Sequence, residues 1–337
     1  MEYRRTDIQA VVAPVALRAA TVARSRARHF LDWVAQGTGS LDASRIAVVV
    51  AHPDDEAVGL GGQFARLPGL TLVHVTDGAP RGGSDVADQG FVAPAEYAAA
   101  RRREIEAAVA LAGVPVDLVS LGIPDQEAGY RLAEIAGALA ALFERREIDL
   151  VLTHPYEGGH PDHDATAFAV HAAGKLLARR GIEAPAIVEM ASYFAAPENC
   201  VHQRFAPGGD QEVVVALDEP RRALKRAMLD AHATQAGCLW VFVDDEERFR
   251  PAPHYDFRAL PNGGLLNYER FGWGMTGETW LSLTRAAMAT LDRRAEAARR
   301  ERRPAALVTR GTVPAARPRA AWLPPGIGGR NRAAASA

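Results

Sequence analysis

The chain has 337 residues, 48% hydrophobic and 24% charged, with a formal net charge of -2. Such a composition fits a soluble globular protein of one large or two average domains, and it excludes a wholly disordered chain. No run approaches the ~18 continuous apolar residues of a membrane span, and the balanced charge argues against a nucleic-acid partner. From Arg293 onward, however, eleven arginines face only Glu296 and Glu301, so the body is acidic and the C-terminal end basic. Two cysteines, Cys200 and Cys238, are too few for a disulfide framework and are not spaced as a metal-binding pair, which fits a reducing cytoplasm.

Residues 1–44 are expected to form a helical N-terminal extension closed by "GTGS"; arginines interrupt its alanine-rich stretch, so it reads as a helix and not as a signal peptide. "RIAVVVAH" is a short β-branched run without alternation, the pattern of a parallel strand buried on both faces. "EAVGLGGQFARL" predicts a helix and "LTLVHVTDG" a second strand ending at Gly78. The Gly- and Asp-rich stretch 79–94 predicts a loop. "AEYAAARRREIEAAVALAG" predicts a helix stopped by Gly113, and "VDLVSLGIPD" a third strand. "YRLAEIAGALAALFERRE" is the next helix, "IDLVLTHP" a fourth strand and "HDATAFAVHAAGKLLARRG" a further helix. "AIVEMASYF" and "EVVVAL" are later strands, and "PRRALKRAMLDAHATQ" is another helix. Residues 244–275 read as a long irregular segment rich in aromatics, and the last helix starts at "GETW". From 304 to 337, Ala, Pro, Arg and Gly dominate, which predicts a disordered, solvated tail that does not contact nucleic acid.

Strands alternating with helices specify an α/β fold, a Rossmann-like three-layer sandwich with a mainly parallel sheet, here spanning 45–303. Loops at the carboxyl ends of such strands carry function. "GLGG" at 59–62 follows an acidic cluster instead of closing a strand, so it does not make a dinucleotide fingerprint, and a dinucleotide-dependent oxidoreductase is excluded.

Two strand ends carry chemistry. After the first strand, "AHPDDE" places His52, Asp54 and Asp55 together. Adjacent ionised aspartates repel, and a divalent cation removes the conflict, one carboxylate binding it and the other serving a water as base. After the fourth strand, "THPYEGGHPDHDAT" offers His154, His160 and His163. Imidazole and carboxylate donors with an open position suit zinc, or another divalent metal. His74 and His171 fall within regular elements and are expected as core histidines; His202 and His254 are expected to be exposed.

"AHPDDE" and "GHPDHDAT" together resemble the LmbE-like/PIG-L family of metal-dependent N-deacetylases. "VTDG" at 75–78, "RRREIEAAVALAG" at 101–113, "LGIPD" at 121–125 and "KRAMLDAHATQ" at 225–235 agree with it. The resemblance covers roughly 45–240. It implies zinc held by His52, Asp55 and His163, and Asp54 as general base toward the metal-bound water. It also implies that His160 stabilises the oxyanion as an imidazolium, with Asp162 orienting its ring. Arg101 and Asp125, and less firmly Asp77, match positions lining the sugar pocket; the reach of Tyr156 is left open. The implied substrate is an N-acetylglucosamine-type sugar conjugate, a small molecule. An amidase acting on another acyl amide and a catalytically silent metal-binding module remain alternatives. Oligomeric state is not legible.

Overall fold

A computed structural model describes residues 6–82, 85–208, 211–242 and 245–302. The chain divides into two compact units, Met1–Ala295 and Glu296–Ala337. The sheet, the core and the site belong to the first; in the second, residues 296–302 are helical. The tail expected from 304 lies outside the described residues.

The chain opens with α1 (Thr6–Gln36), then β1 (Ile46–Val50), α2 (Asp55–Leu60), β2 (Leu70–Pro80), α3 (Asp85–Asp88), α4 (Pro94–Ala110) and β3 (Val116–Asp125). Next come α5 (Leu132–Arg145), β4 (Leu150–Thr153), α6 (Pro161–Arg179), β5 (Ala186–Met190), β6 (Tyr193–Ala195), β7 (Cys200–His202) and β8 (Val213–Ala216). The last elements are α7 (Glu219–Asp230), α8 (Ala236–Leu239), β9 (Glu246–Pro251), α9 (Asn267–Arg270) and α10 (Gly277–Arg302). None of the described helices is long and apolar enough to cross a membrane.

Seven strands form one sheet in the order β3-β2-β1-β4-β5-β9-β8, and β6 and β7 pair separately. The first five of that order run parallel, while β9 lies antiparallel to both β5 and β8. The expected α/β architecture with a mainly parallel sheet is therefore present. β1 shows why its sequence lacks alternation: Ile46, Val48 and Val50 enter one core cluster, and Ala47 and Val49 enter the other. The first cluster includes Ala27, Phe30, Leu31 and Val34 of α1, so the C-terminal half of that helix packs into the core. The second holds α5, α6 and Trp280 of α10.

Departures from the sequence expectations have identifiable causes. The helix expected over 56–67 gives way at Leu60 to a 3-10 segment, Gly61–Arg66. Here Gly62 passes so close to Leu217 that a Cβ would lie 2.8 Å from its Cδ2, so the 3-10 turn holds a close backbone approach. "AIVEMASYF" divides into β5 and β6 around Ala191–Ser192. The segment read as irregular over 244–275 contributes β9 to the main sheet. Its sequence, "EERFRP", shows no apolar pattern because Glu247 and Arg250 are buried in ion pairs.

Candidate metal and active site

The sheet order reverses direction between β1 and β4, and ligand crevices form at such switch points. His52, Asp54 and Asp55 follow β1, and His154, His160 and His163 follow β4. Parallel pairing of the two strands in register brings both groups to one edge of the sheet.

Asp55 lies at the centre. Its Oδ2 is 3.3 Å from His52 Nδ1 and 3.3 Å from His154 Nε2, and its Oδ1 is 3.2 Å from His163 Nε2. The imidazoles hold its carboxyl well below the usual range despite burial. His52 is oriented from its other side, Nε2 lying 3.0 Å from Asp125 Oδ1 and 3.4 Å from Asp162 Oδ2. A metal-binding histidine often donates its second ring N–H to a carboxylate in this manner.

Three overlapping groups place donor atoms close enough to hold a metal ion: His52 with His160 and His163, Asp55 with His154 and His163, and His52 with Asp125 and Asp162. Hydrogen bonding separates these donors. His154 Nε2 accepts from the Ala51 N–H at 3.0 Å, and His160 Nδ1 accepts from the Asp162 N–H at 3.2 Å, so those lone pairs are engaged. His163 Nε2 is buried with no hydrogen-bond partner; its approach to Asp55 lacks hydrogen-bond alignment. An orphaned imidazole nitrogen among carboxylates fits a divalent cation. So does the charge balance, since Asp54, Asp55, Asp125 and Asp162 surround a site where, among the described residues, Arg101 is the one guanidinium.

Asp54 has φ 155° and ψ -25°, a backbone conformation that non-glycine residues rarely adopt. Several contacts hold it there. Its N–H donates to Glu56 Oε2 at 3.3 Å, its carbonyl accepts from Ala57 and Val58, and its Oδ2 accepts from Arg101 Nη2 at 2.7 Å. Burial pushes its carboxyl up to about 6, against the pull of Arg101.

Of the three residues expected to line a sugar pocket, Arg101 and Asp125 line the cavity, but each also has a partner within the protein. Arg101, on α4, is buried, and its Nη atoms donate to Gly78 O, Pro53 O and Asp54; Nε is left without a partner. Asp125 holds His52. Asp77 instead pairs with Arg81. The expected contact between the Asp162 carboxylate and His160 is replaced: that carboxylate accepts from the N–H groups of Gln126 at 2.6 Å and Ala128 at 3.0 Å, and only the main chain of Asp162 meets the His160 ring. The imidazolium state expected of His160 is also disfavoured, because Nδ1 already accepts a hydrogen bond. Burial, with His52 nearby, lowers its basicity well below the usual range. Tyr156 turns away into the core, donating to Ala259 O and accepting from Trp280 Nε1.

Further residues, without a motif of their own, complete the region. Glu56, fully buried, lies 3.0 Å from His74 Nε2 and 3.7 Å from His232 Nε2, behind Asp54. His74 is thus the core histidine expected, but with an acidic partner. His202, expected to be exposed, is half-buried and lines the cavity; His254 is exposed. The cavity, about 570 Å³, is walled by Tyr193, Leu239, Phe242, Phe271 and Trp273 in addition to the polar cluster. Only "HPDDE" itself signals Glu56; Phe271 and Trp273 of the wall belong to the aromatic-rich segment 244–275, while Tyr193, Leu239 and Phe242 carry no sequence signature.

Residues 47–174 match the PIG-L family, described as GlcNAc-PI de-N-acetylase. A 1D-myo-inositol 2-acetamido-2-deoxy-alpha-D-glucopyranoside deacetylase of Mycobacteroides abscessus is 31% identical over 229 residues, 57% of this chain and 81% of that protein. The chain belongs to the PIG-L family. A diacetylchitobiose deacetylase of Thermococcus kodakarensis is 31% identical over 135 residues, 38% of this chain and 48% of that one. Among solved structures, the A40926 pseudoaglycone deacetylase superposes with a TM-score of 0.48 at 20% identity, covering 64% of this chain and 99% of that one.

Proposed function

We propose that this PIG-L family chain is a zinc-dependent hydrolase that removes the N-acetyl group from an N-acetylglucosamine-type sugar conjugate. The observation that carries the reading is the orphaned Nε2 of His163 beside Asp55, with Asp54 held at the same cavity. Its relatives' deacetylase activities support the reaction class.

His52 through Nδ1, Asp55 and His163 through Nε2 would hold the ion. When bound, it would supply Lewis-acid polarisation of the amide carbonyl and acidify water. Asp54 accepts the proton of the attacking water and returns it to the leaving amine. Arg101 fixes the carboxylate of Asp54, and Glu56 its main-chain N–H. His160, with Nδ1 accepting from the main chain, presents Nε2–H as a neutral donor to the developing oxyanion. Asp125 keeps the His52 ring turned so that Nδ1 faces Asp55. Asp162 ties the loop after β3 to the start of α6 through Gln126 and Ala128.

The test is acetate release from a panel of N-acetylglucosaminides by zinc-loaded and chelated protein. Metal-dependent acetate supports the reading. No acetate from protein shown to hold one zinc would overturn it in favour of another acyl amide or of a silent metal-binding module. The Asp54→Asn variant should keep its zinc and lose at least about a hundredfold in kcat.

A further inference from the structure

The cavity is larger than an acetamido sugar alone requires. At about 570 Å³ it falls in the range that encloses a drug-sized ligand. Its lining is of two kinds. Asp54, Asp55, Arg101 and Asp125 gather with the site histidines. Two aromatic rows start from those histidines. His160 lies 4.8 Å from Trp273 between ring centroids, and Trp273 lies 5.1 Å from Phe271. His163 lies 5.0 Å from Tyr193, and Tyr193 lies 5.9 Å from Phe242. All these rings line one cavity, and Phe271, at the end of its row, remains 50% exposed. Leu239 and Val241 continue the apolar surface. Among the described lining residues, Arg101 is the one guanidinium or ammonium, and it is bound to Asp54.

We infer that the aromatic part of the cavity is a subsite for a flat, uncharged aryl aglycone, stacked between the Trp273–Phe271 and Tyr193–Phe242 rows. The inference rests on the deacetylase reading and narrows it to a substrate class. Flat rings at these spacings pair with another ring by offset or edge-to-face contact. Among the described lining residues a phosphorylated aglycone would meet no guanidinium or ammonium beyond Arg101, only the His202 imidazole 5.1 Å from Phe242, whose basicity burial lowers, so its desolvation would go largely uncompensated. A bare sugar would leave the aromatic faces in water.

The test compares kcat/KM for the methyl, phenyl and phosphoglyceryl glycosides of N-acetylglucosamine, using zinc-loaded full-length chain. The phenyl glycoside should exceed the methyl by about tenfold, mainly through KM, and the phosphoglyceryl glycoside should be poorest. F271A should bring the phenyl-to-methyl ratio toward one, and F271W should restore it, which a merely structural role for Phe271 would not produce. Equal values for the phenyl and methyl glycosides, or a preference for the anionic one, would overturn the subsite and leave deacetylation standing. Absence of acetate from all three would overturn the deacetylase reading and the subsite with it.

Discussion

Arg101 Nη2 lies 2.7 Å from Asp54 Oδ2, and the two side chains are 4% and 10% exposed. A helix residue 47 positions downstream thus holds the first of two adjacent aspartates while Asp55, the next residue, faces the imidazoles. The repulsion built into "DD" is resolved by turning the two carboxylates onto different cations or cation sites.

Removing that cation should be costly twice over. R101M leaves a buried carboxylate without its partner, a loss of about 3–5 kcal/mol in stability. It should also lower kcat about a hundredfold, because Asp54 loses its orientation. R101K should retain part of the stability but little of the rate, since one ammonium cannot span Gly78 O, Pro53 O and Asp54 as the guanidinium does. Thermal denaturation and kcat on zinc-loaded protein check both. Full activity in R101M would sink the positioning role.

Gly78 should be nearly as sensitive. It has φ +68°, and a Cβ there would lie 2.7 Å from Arg101 Cζ. Gly78→Ala therefore adds backbone strain of about 1 kcal/mol and pushes the guanidinium off Asp54. The expected result is a kcat loss resembling that of R101K with zinc content unchanged, measured by turnover and metal analysis side by side.

At the proposed zinc site, Asp125 would act through His52, whose Nε2 it holds at 3.0 Å. Its removal in Asp125→Ala frees the His52 ring, so zinc affinity should weaken by about 10–100-fold. Competition with a chromophoric chelator measures this directly. An unchanged affinity would show that His52 is held by Asp162 alone, which sits 3.4 Å from the same nitrogen.

A pH effect on stability should arise away from the site. Arg250 Nε lies 2.7 Å from Glu189 Oε2 and its Nη2 lies 2.7 Å from Glu157 Oε1, so two buried carboxyls share one guanidinium. Burial pushes Glu189 up to about 8 and Glu157 up to about 7, with Arg250 opposing. Both folded values lie above those of an unfolded glutamate, so the unfolded chain releases its protons first. Stability therefore falls as pH rises from about 4.5 toward 8, at up to about 1.4 kcal/mol per pH unit for each proton retained. Chemical denaturation of E189Q at pH 5, 6.5 and 8 should show a shallower fall than the parent chain. Parallel curves would refute the assignment.

Much of the frame is legible in the amino-acid order. β1 and β4 are short apolar runs, and each leads into a loop carrying a His-Pro-Asp stretch, because strand ends and helix starts are local matters of backbone geometry and side-chain type. The same locality puts His52 and Asp55 three residues apart, and His160 and His163 likewise. β9 is not legible in this way. Its buried charges, Glu247 and Arg250, pair with Lys225 and with Glu189 and Glu157, all distant in sequence, so it carries no apolar signal.

Periodicity and turn chemistry follow from neighbouring residues, so the alternation of strands and helices, and with it the parallel α/β frame, is written in the chain itself. What each side chain faces is settled only by packing across the fold. Packing turns Arg101 inward onto Asp54, gives Asp125 to His52 and engages the Asp162 carboxylate with main-chain N–H groups. It also withdraws Tyr156 to the core and sets Trp273 and Tyr193 beside the site histidines. Most of those pairings join residues tens to more than a hundred positions apart. They depend on how elements pack and on which buried polar atoms must find partners, and no local pattern encodes either.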